Sequence, residues 1–138
     1  MVMQSTSTLE AQRQRVGTHD ASVIAIVDDD ESLRRSLANF LRSIGFRVET
    51  FASAEDFLTS ARREHSECLV LDLEMTGMSG LDLLRHLTAA NIRVPAVILT
   101  AHAEADMRRQ CLVAGAVGFL EKPFHHDALL DAIGTALR

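Results

Sequence analysis

The sequence predicts an α/β fold, a doubly wound five-stranded parallel sheet built as a (βα)5 series. Three observations carry that expectation. Five short apolar runs recur along the chain, and four of them are nearly continuous, as parallel strands covered on both faces tend to be. Amphipathic stretches of helical period separate these runs. Helix start and stop residues punctuate the joins. A chain of 138 residues with 47% hydrophobic and 24% charged content suits one domain with its own core.

The first run, Val23–Val27, leads into a stripe of Leu33, Leu37, Leu41 and Ile44, with Arg34, Arg35 and Arg42 off it. Asp30 stands where a helix cap belongs, and Gly45 where a helix ends. Phe46–Phe51 is the second strand. Ser53–Asp56 has the spacing of a capping box, and Ser79–Asp82 repeats it after the third strand, Cys68–Leu71. Ala96–Leu99 is the fourth strand, and the helix behind it ends at Gly115. Val117–Leu120 is the fifth. Leu130, Ile133 and Leu137 mark the last helix, which His125 and His126 open on its exposed side. That helix tolerates Gly134 at a cost of about 1 kcal/mol. Parallel neighbours need crossovers, and right-handed crossovers place helices on both faces of the sheet. Length does not select the strand order. The order 2-1-3-4-5 is adopted as a common one for flavodoxin-like sheets.

Composition excludes several classes. The net charge is −5 and no Lys/Arg cluster forms a stripe, so direct nucleic-acid binding by this chain is not expected. No apolar run approaches the roughly 20 residues of a membrane span, so no membrane partner is expected. The first 21 residues are rich in Ser, Thr and Gln and read as a flexible lead, ahead of a domain at 22–138. They lack the apolar block of a secretory signal, which makes the cytoplasm the expected location. Cys68 and Cys111 read as small buried thiols in core elements.

In open α/β sheets, ligands lie beyond the carboxyl ends of the strands. Here the first strand is followed by Asp28-Asp29-Asp30-Glu31, the third by Asp72, the fourth by Thr100-Ala101 and the fifth by Glu121-Lys122-Pro123. Each is unremarkable alone: an Asp after a strand is often a cap, a Lys a solvated charge. Together they bring acid, hydroxyl and amine to one edge. Three carboxylates about 5 Å apart repel by roughly 3 kcal/mol per pair at an effective dielectric near 20. Such a cluster persists with a cation, an ammonium neighbour or raised pKa values. Magnesium suits it, because that ion takes oxygen ligands and usually only one or two carboxylates beside phosphate oxygens. No His/Cys spacing for zinc is present. An Asp that attacks phosphorus forms an acyl phosphate. The transition state is loose, so positioning and charge neutralisation dominate. In this scheme Asp72 attacks, magnesium and Lys122 neutralise, Thr100 hydrogen-bonds a phosphoryl oxygen, and the small Ala101 leaves the approach open.

The segments IVDDDESLRRSLANFL, LVLDLEMTGMSGLDLL, VILTAH and AGAVGFLEKPF resemble the receiver domains of two-component response regulators, in order, from about Val23 to the C-terminus. The LTAH and AGAVGFLEKPF wording is most similar to the FixJ-like branch. The resemblance implies the receiver fold over 22–138 and a phosphorelay protein that takes a phosphoryl group from a sensor histidine kinase on Asp72. It implies Asp28 and Asp29 as the acidic pair. The backbone carbonyl of Glu74 would complete a magnesium shell of Asp28, Asp29 and Asp72. Thr100, Ala101 and Lys122 would bind the phosphoryl group, Thr100 and Phe119 would form the switch, and the Lys122–Pro123 bond would be cis. Such a protein is not a turnover enzyme; it catalyses only its own aspartyl phosphorylation and dephosphorylation. The face of the fourth helix, fifth strand and fifth helix is the expected surface for a second copy or an effector protein. One departure stands out: Thr76 occupies a position where the family usually carries proline, which should loosen that loop and alter phosphoryl lifetime. Glu74 and His102 occupy positions that tune that lifetime in the family.

Two other classes stay in view. Aspartate-nucleophile phosphohydrolases carry an Asp-x-Asp pattern after the first strand, whereas the isolated Asp72 here follows the third. Flavin or nucleotide modules share such sheets, yet no glycine-rich phosphate loop follows the first strand. The chain ends just after the fifth helix, which leaves open a stand-alone regulator or a receiver excised from a DNA-binding protein.

Overall fold

The computed structural model describes residues 22–60 and 63–138. The lead expected at residues 1–21 lies outside the described residues. The elements alternate without interruption: β1 (Val23–Val27), α1 (Glu31–Ile44), β2 (Arg47–Phe51), α2 (Ala54–Thr59), a 3-10 turn (Arg63–His65), β3 (Cys68–Asp72), α3 (Gly80–Ala89), β4 (Ala96–Thr100), α4 (Ala105–Val113), β5 (Ala116–Glu121) and α5 (His126–Leu137). The strands form one sheet of order β2-β1-β3-β4-β5 with every pairing parallel. This is the doubly wound 2-1-3-4-5 arrangement.

Every residue of the three central strands β1, β3 and β4 is buried. Alternation sorts their side chains into two layers. Ile24, Ile26, Cys68, Val70, Val97 and Leu99 meet Leu37, Leu41 and Ile44 of α1 and Leu129, Leu130 and Ile133 of α5. Ala25, Val27, Leu69, Leu71, Ala96 and Ile98 meet Phe57 of α2, Leu83, Leu84 and Leu87 of α3, and Cys111 of α4. Both thiols are free and buried, and burial pushes Cys68 up to about 12, where it stays protonated and inert.

The fifth strand departs from the expected continuously buried run. It is an edge strand, and only Ala116 is fully buried. It also carries a bulge: Ala96 pairs with Ala116 but Val97 pairs with Gly118, so Val117 is an extra residue and lies 45% exposed. The extra residue resets which face the following side chains take. Phe119 then shares the layer of Ala116 and Ile98, while Leu120 joins that of Leu99.

The helix ends follow local chemistry with one correction. Asp30 caps α1 by accepting from the N–H groups of Ser32 and Leu33, and Gly45 closes it at φ 117°. Ser79 and Asp82 form the full reciprocal box on α3. At α2 only half of the expected box forms: Ser53 accepts from the N–H of Asp56, with no return bond from the acid. That helix is a short six-residue segment. Gly115, at φ 112°, follows α4 as expected.

Candidate functional site

The strand ends deliver the predicted residues to one edge because the ladder runs slightly past each strand. The N–H of Asp28 donates to Phe51 O at 3.1 Å, that of Leu73 to Leu99 O at 2.8 Å, and that of Lys122 to Thr100 O at 2.7 Å. These bonds fix the backbone from which Asp28, Asp72 and Lys122 project. Asp28 is further held by Arg34, whose guanidinium donates to its carbonyl at 2.6 Å.

Asp28 and Asp72 are buried, at 0% and 2% exposure, whereas Asp29 is exposed. One carboxylate oxygen from each of the three lies within 4.8 Å of the others. The Lys122 ammonium donates to Asp72 Oδ1 at 3.1 Å and stands 3.6 Å from Asp28 Oδ2. Asp28 Oδ1 accepts from the Asp30 N–H at 2.9 Å, but Oδ2 is a buried oxygen with no hydrogen-bond partner. The Lys122 ammonium faces that oxygen as an ion pair without a hydrogen bond, and a buried carboxylate oxygen lacking one gains from a closer cation or a proton. An all-oxygen set with one such atom fits a hard divalent cation.

The electrostatics follow from burial. Burial pushes Asp72 up to about 6; the charge of Asp28 adds to the rise, and the hydrogen bond and charge of Lys122 oppose it. Burial likewise lifts Asp28, against the Asp30 N–H bond and the Lys122 charge, with Asp29 and Asp30 adding to the lift. Burial works against the Lys122 ammonium, yet its hydrogen bond to Asp72 and the charges of Asp28 and Asp72 outweigh this and hold it above its usual range.

Thr100, fully buried, ends β4. Its hydroxyl accepts from the His102 N–H at 3.0 Å and donates to a carboxylate oxygen of Glu74. The other Glu74 oxygen accepts from the Ala101 N–H at 3.1 Å. The sequence marked Glu74 for its carbonyl and as a position that tunes phosphoryl lifetime, but not for this side-chain contact with Thr100 and Ala101. Its sole local signal is an acid two residues beyond Asp72. Thr76, expected only to loosen its loop, also makes a contact that the sequence did not reveal: its N–H donates to Asp29 Oδ2 at 3.3 Å, a bond proline has no donor to make. Phe119 sits half-buried on β5, with the Arg108 guanidinium of α4 above its ring at 5.6 Å. The Lys122–Pro123 peptide is cis. His125 and His126 are exposed; His126 stacks on Phe40 at a centroid distance of 4.1 Å.

The geometry offers a buried carboxylate nucleophile beside an ammonium, a cation site, and a hydroxyl with an adjacent N–H. Comparisons with known proteins identify a family. The profile of the Response regulator receiver domain family matches residues 24–134. The chain is 42% identical over 115 residues to Nodulation protein W of Bradyrhizobium diazoefficiens, covering 83% of this chain and 51% of that protein. It is 42% identical over 113 residues to the transcriptional regulatory protein FixJ of Rhizobium meliloti, covering 82% of this chain and 55% of that one. Among solved structures, the FixJ-N crystal structure superposes with a TM-score of 0.78 at 41% identity, covering 84% of this chain and 93% of that one. The chain spans about half the length of the curated relatives it matches.

Proposed function

The chain belongs to the response regulator receiver domain family of two-component systems, and from that premise we propose that its receiver unit, residues 22–138, stores signal as a phosphoryl group on Asp72. The observation that carries this reading is the Lys122 ammonium at 3.1 Å from Asp72 and 3.6 Å from Asp28, inside a buried acidic pocket. A lone pair of an Asp72 carboxylate oxygen forms the new bond to phosphorus. The bond from phosphorus to the donor breaks, and the departing group, the imidazole nitrogen of a kinase phosphohistidine, keeps that electron pair. Hydrolysis reverses the state: water adds to phosphorus and the carboxylate leaves. The protein performs both steps on itself and turns over no separate substrate.

Lys122 stabilises charge on the phosphoryl oxygens, and the Thr100 hydroxyl with the Ala101 N–H supplies further donors to them. Asp28, Asp29, Asp72 and the carbonyl of Glu74 would hold magnesium, which would neutralise phosphoryl charge when bound. Thr100 drawn toward a phosphoryl oxygen frees space for Phe119 to turn inward, biasing a two-state equilibrium. The bulge at Val117 supports that coupling, since it puts Phe119 on the layer of Ile98. The donor is a sensor histidine kinase in the cytoplasm. The α4–β5–α5 face serves a second copy or an effector; Leu112 of α4 and Val117 of β5 are exposed apolar side chains on two of its elements.

Incubation with acetyl phosphate and magnesium should add one phosphoryl group by mass, and Asp72→Asn should add none at that position. Equal labelling of the variant at the same peptide would sink the assignment. Sedimentation of the labelled sample should show a larger species than the unlabelled chain; an unchanged monomer counts against the face.

A further inference from the structure

Glu74 bridges two strand ends. One carboxylate oxygen takes the proton of the buried Thr100 hydroxyl, and the other takes the Ala101 N–H at 3.1 Å. These are the two donors that the proposed function assigns to the phosphoryl group. A carboxylate spreads one charge over two oxygens, so it can satisfy a hydroxyl and an N–H together, as two phosphoryl oxygens would.

We propose that Glu74 is an internal occupant of the phosphoryl-binding position, a positioning residue that an incoming phosphoryl group must displace. This rests on the phosphoacceptor reading of Asp72 and deepens it. Two anions cannot share one hydroxyl proton and one N–H, so Glu74 and a phosphoryl group exclude each other at these donors. Departure of Glu74 is open to it because the side chain is exposed and water can solvate it. Thr100 has less choice: buried, its alternative partner among the described residues is the His102 backbone, with the His102 carbonyl at 3.2 Å. The empty and phosphorylated forms therefore compete for the same hydroxyl, and Glu74 sets how readily the exchange occurs.

Side-chain length separates this from a plain charge effect. Glu74→Asp keeps the charge but is one methylene shorter and withdraws from Thr100 and Ala101; Glu74→Ala removes both. The full chain and the two variants would be compared with acetyl phosphate and magnesium for uptake rate, and with beryllofluoride for binding midpoint. Both variants should take up phosphoryl groups about tenfold faster and bind beryllofluoride about tenfold more tightly, the factor that about 1.4 kcal/mol of charge-assisted hydrogen bonding makes. In the unphosphorylated state, the amide proton resonance of Ala101 should move upfield in both. Equal rates in all three chains, or a Glu74→Asp chain as slow as the wild type, overturn the proposal. An unmoved Ala101 resonance does the same. A wild-type chain that takes up no phosphoryl group overturns the Asp72 reading itself, which the rates of the variants alone cannot do.

Discussion

Asp72 in the metal-free chain is held partly against its own charge. Burial and the Asp28 carboxylate lift it to about 6, despite Lys122. An acid whose folded value exceeds its unfolded one binds its proton more tightly when folded. Its contribution to stability is complete below the unfolded value, near 4, and is lost as pH rises through about 6. Asp72→Asn should therefore stabilise the chelator-treated protein at pH 7.5, by roughly 1–3 kcal/mol, with the gain shrinking toward pH 4. Urea denaturation at several pH values checks this. A gain independent of pH would dissociate it from Asp72 ionisation, and a net loss would mean that stranding Lys122 without a partner outweighs the relief. The same residue is thus a liability to the fold and, under the proposed function, a reason for a cation to favour the pocket. That conflict was visible in the sequence as four acids in a row and a fifth after the third strand, but its size depends on burial.

Packing between elements constrains the backbone that carries that carboxylate, and Gly80 shows how. A Cβ built there would lie 2.5 Å from the Asp72 carbonyl oxygen and 3.0 Å from Leu73 Cα, closer than packing permits. The N-terminus of α3 thus approaches the end of β3 at a distance only glycine allows. Ser79→Ala should cost about 1 kcal/mol by removing one half of the capping box, with phosphoryl uptake nearly unchanged. Gly80→Ala should cost about 1–3 kcal/mol as an overpacked contact and should also slow uptake, because the backbone that must shift carries Asp72. Thermal melts and uptake rates on both variants separate the two; loss of stability without loss of rate in Gly80→Ala would uncouple α3 from the site. Apolar runs made β1, β3 and β4 legible, since strands buried on both faces leave continuous hydrophobic stretches. The Val117 bulge and the Gly80 contact were not legible. Both arise from pairing and packing between segments distant in sequence, and neither has a local signature beyond a residue type.

At the scale of the whole molecule, the site exists because parallel strands all present their carboxyl ends to one edge. Any sequence-level reading that places the strands also gathers Asp28, Asp29, Asp72, Thr100 and Lys122, which is why those residues were legible together. What that rule does not give is partner choice within the loops: Glu74 on Thr100, Thr76 on Asp29, and an Asp28 Oδ2 without a hydrogen bond depend on torsions that no strand pattern encodes. The topology has a thermodynamic consequence. Asp28 and Asp72 are brought together only by folding, so a divalent cation held between them binds the folded chain and stabilises it by mass action. At a magnesium concentration ten times its Kd, the gain should be about 1.4 kcal/mol. It should vanish in Asp28→Asn, which removes the buried anionic oxygen, and should persist in Glu74→Ala, whose carbonyl is untouched. Sodium chloride of matched ionic strength serves as the control, since general screening relieves repulsion among the acids without occupying their pocket. Melting curves in which sodium chloride reproduces the magnesium shift, or in which Asp28→Asn keeps it, would show that the acidic cluster is relieved by salt alone. A shift specific to magnesium and to Asp28 would make the cation part of the folded state that the sheet edge assembles.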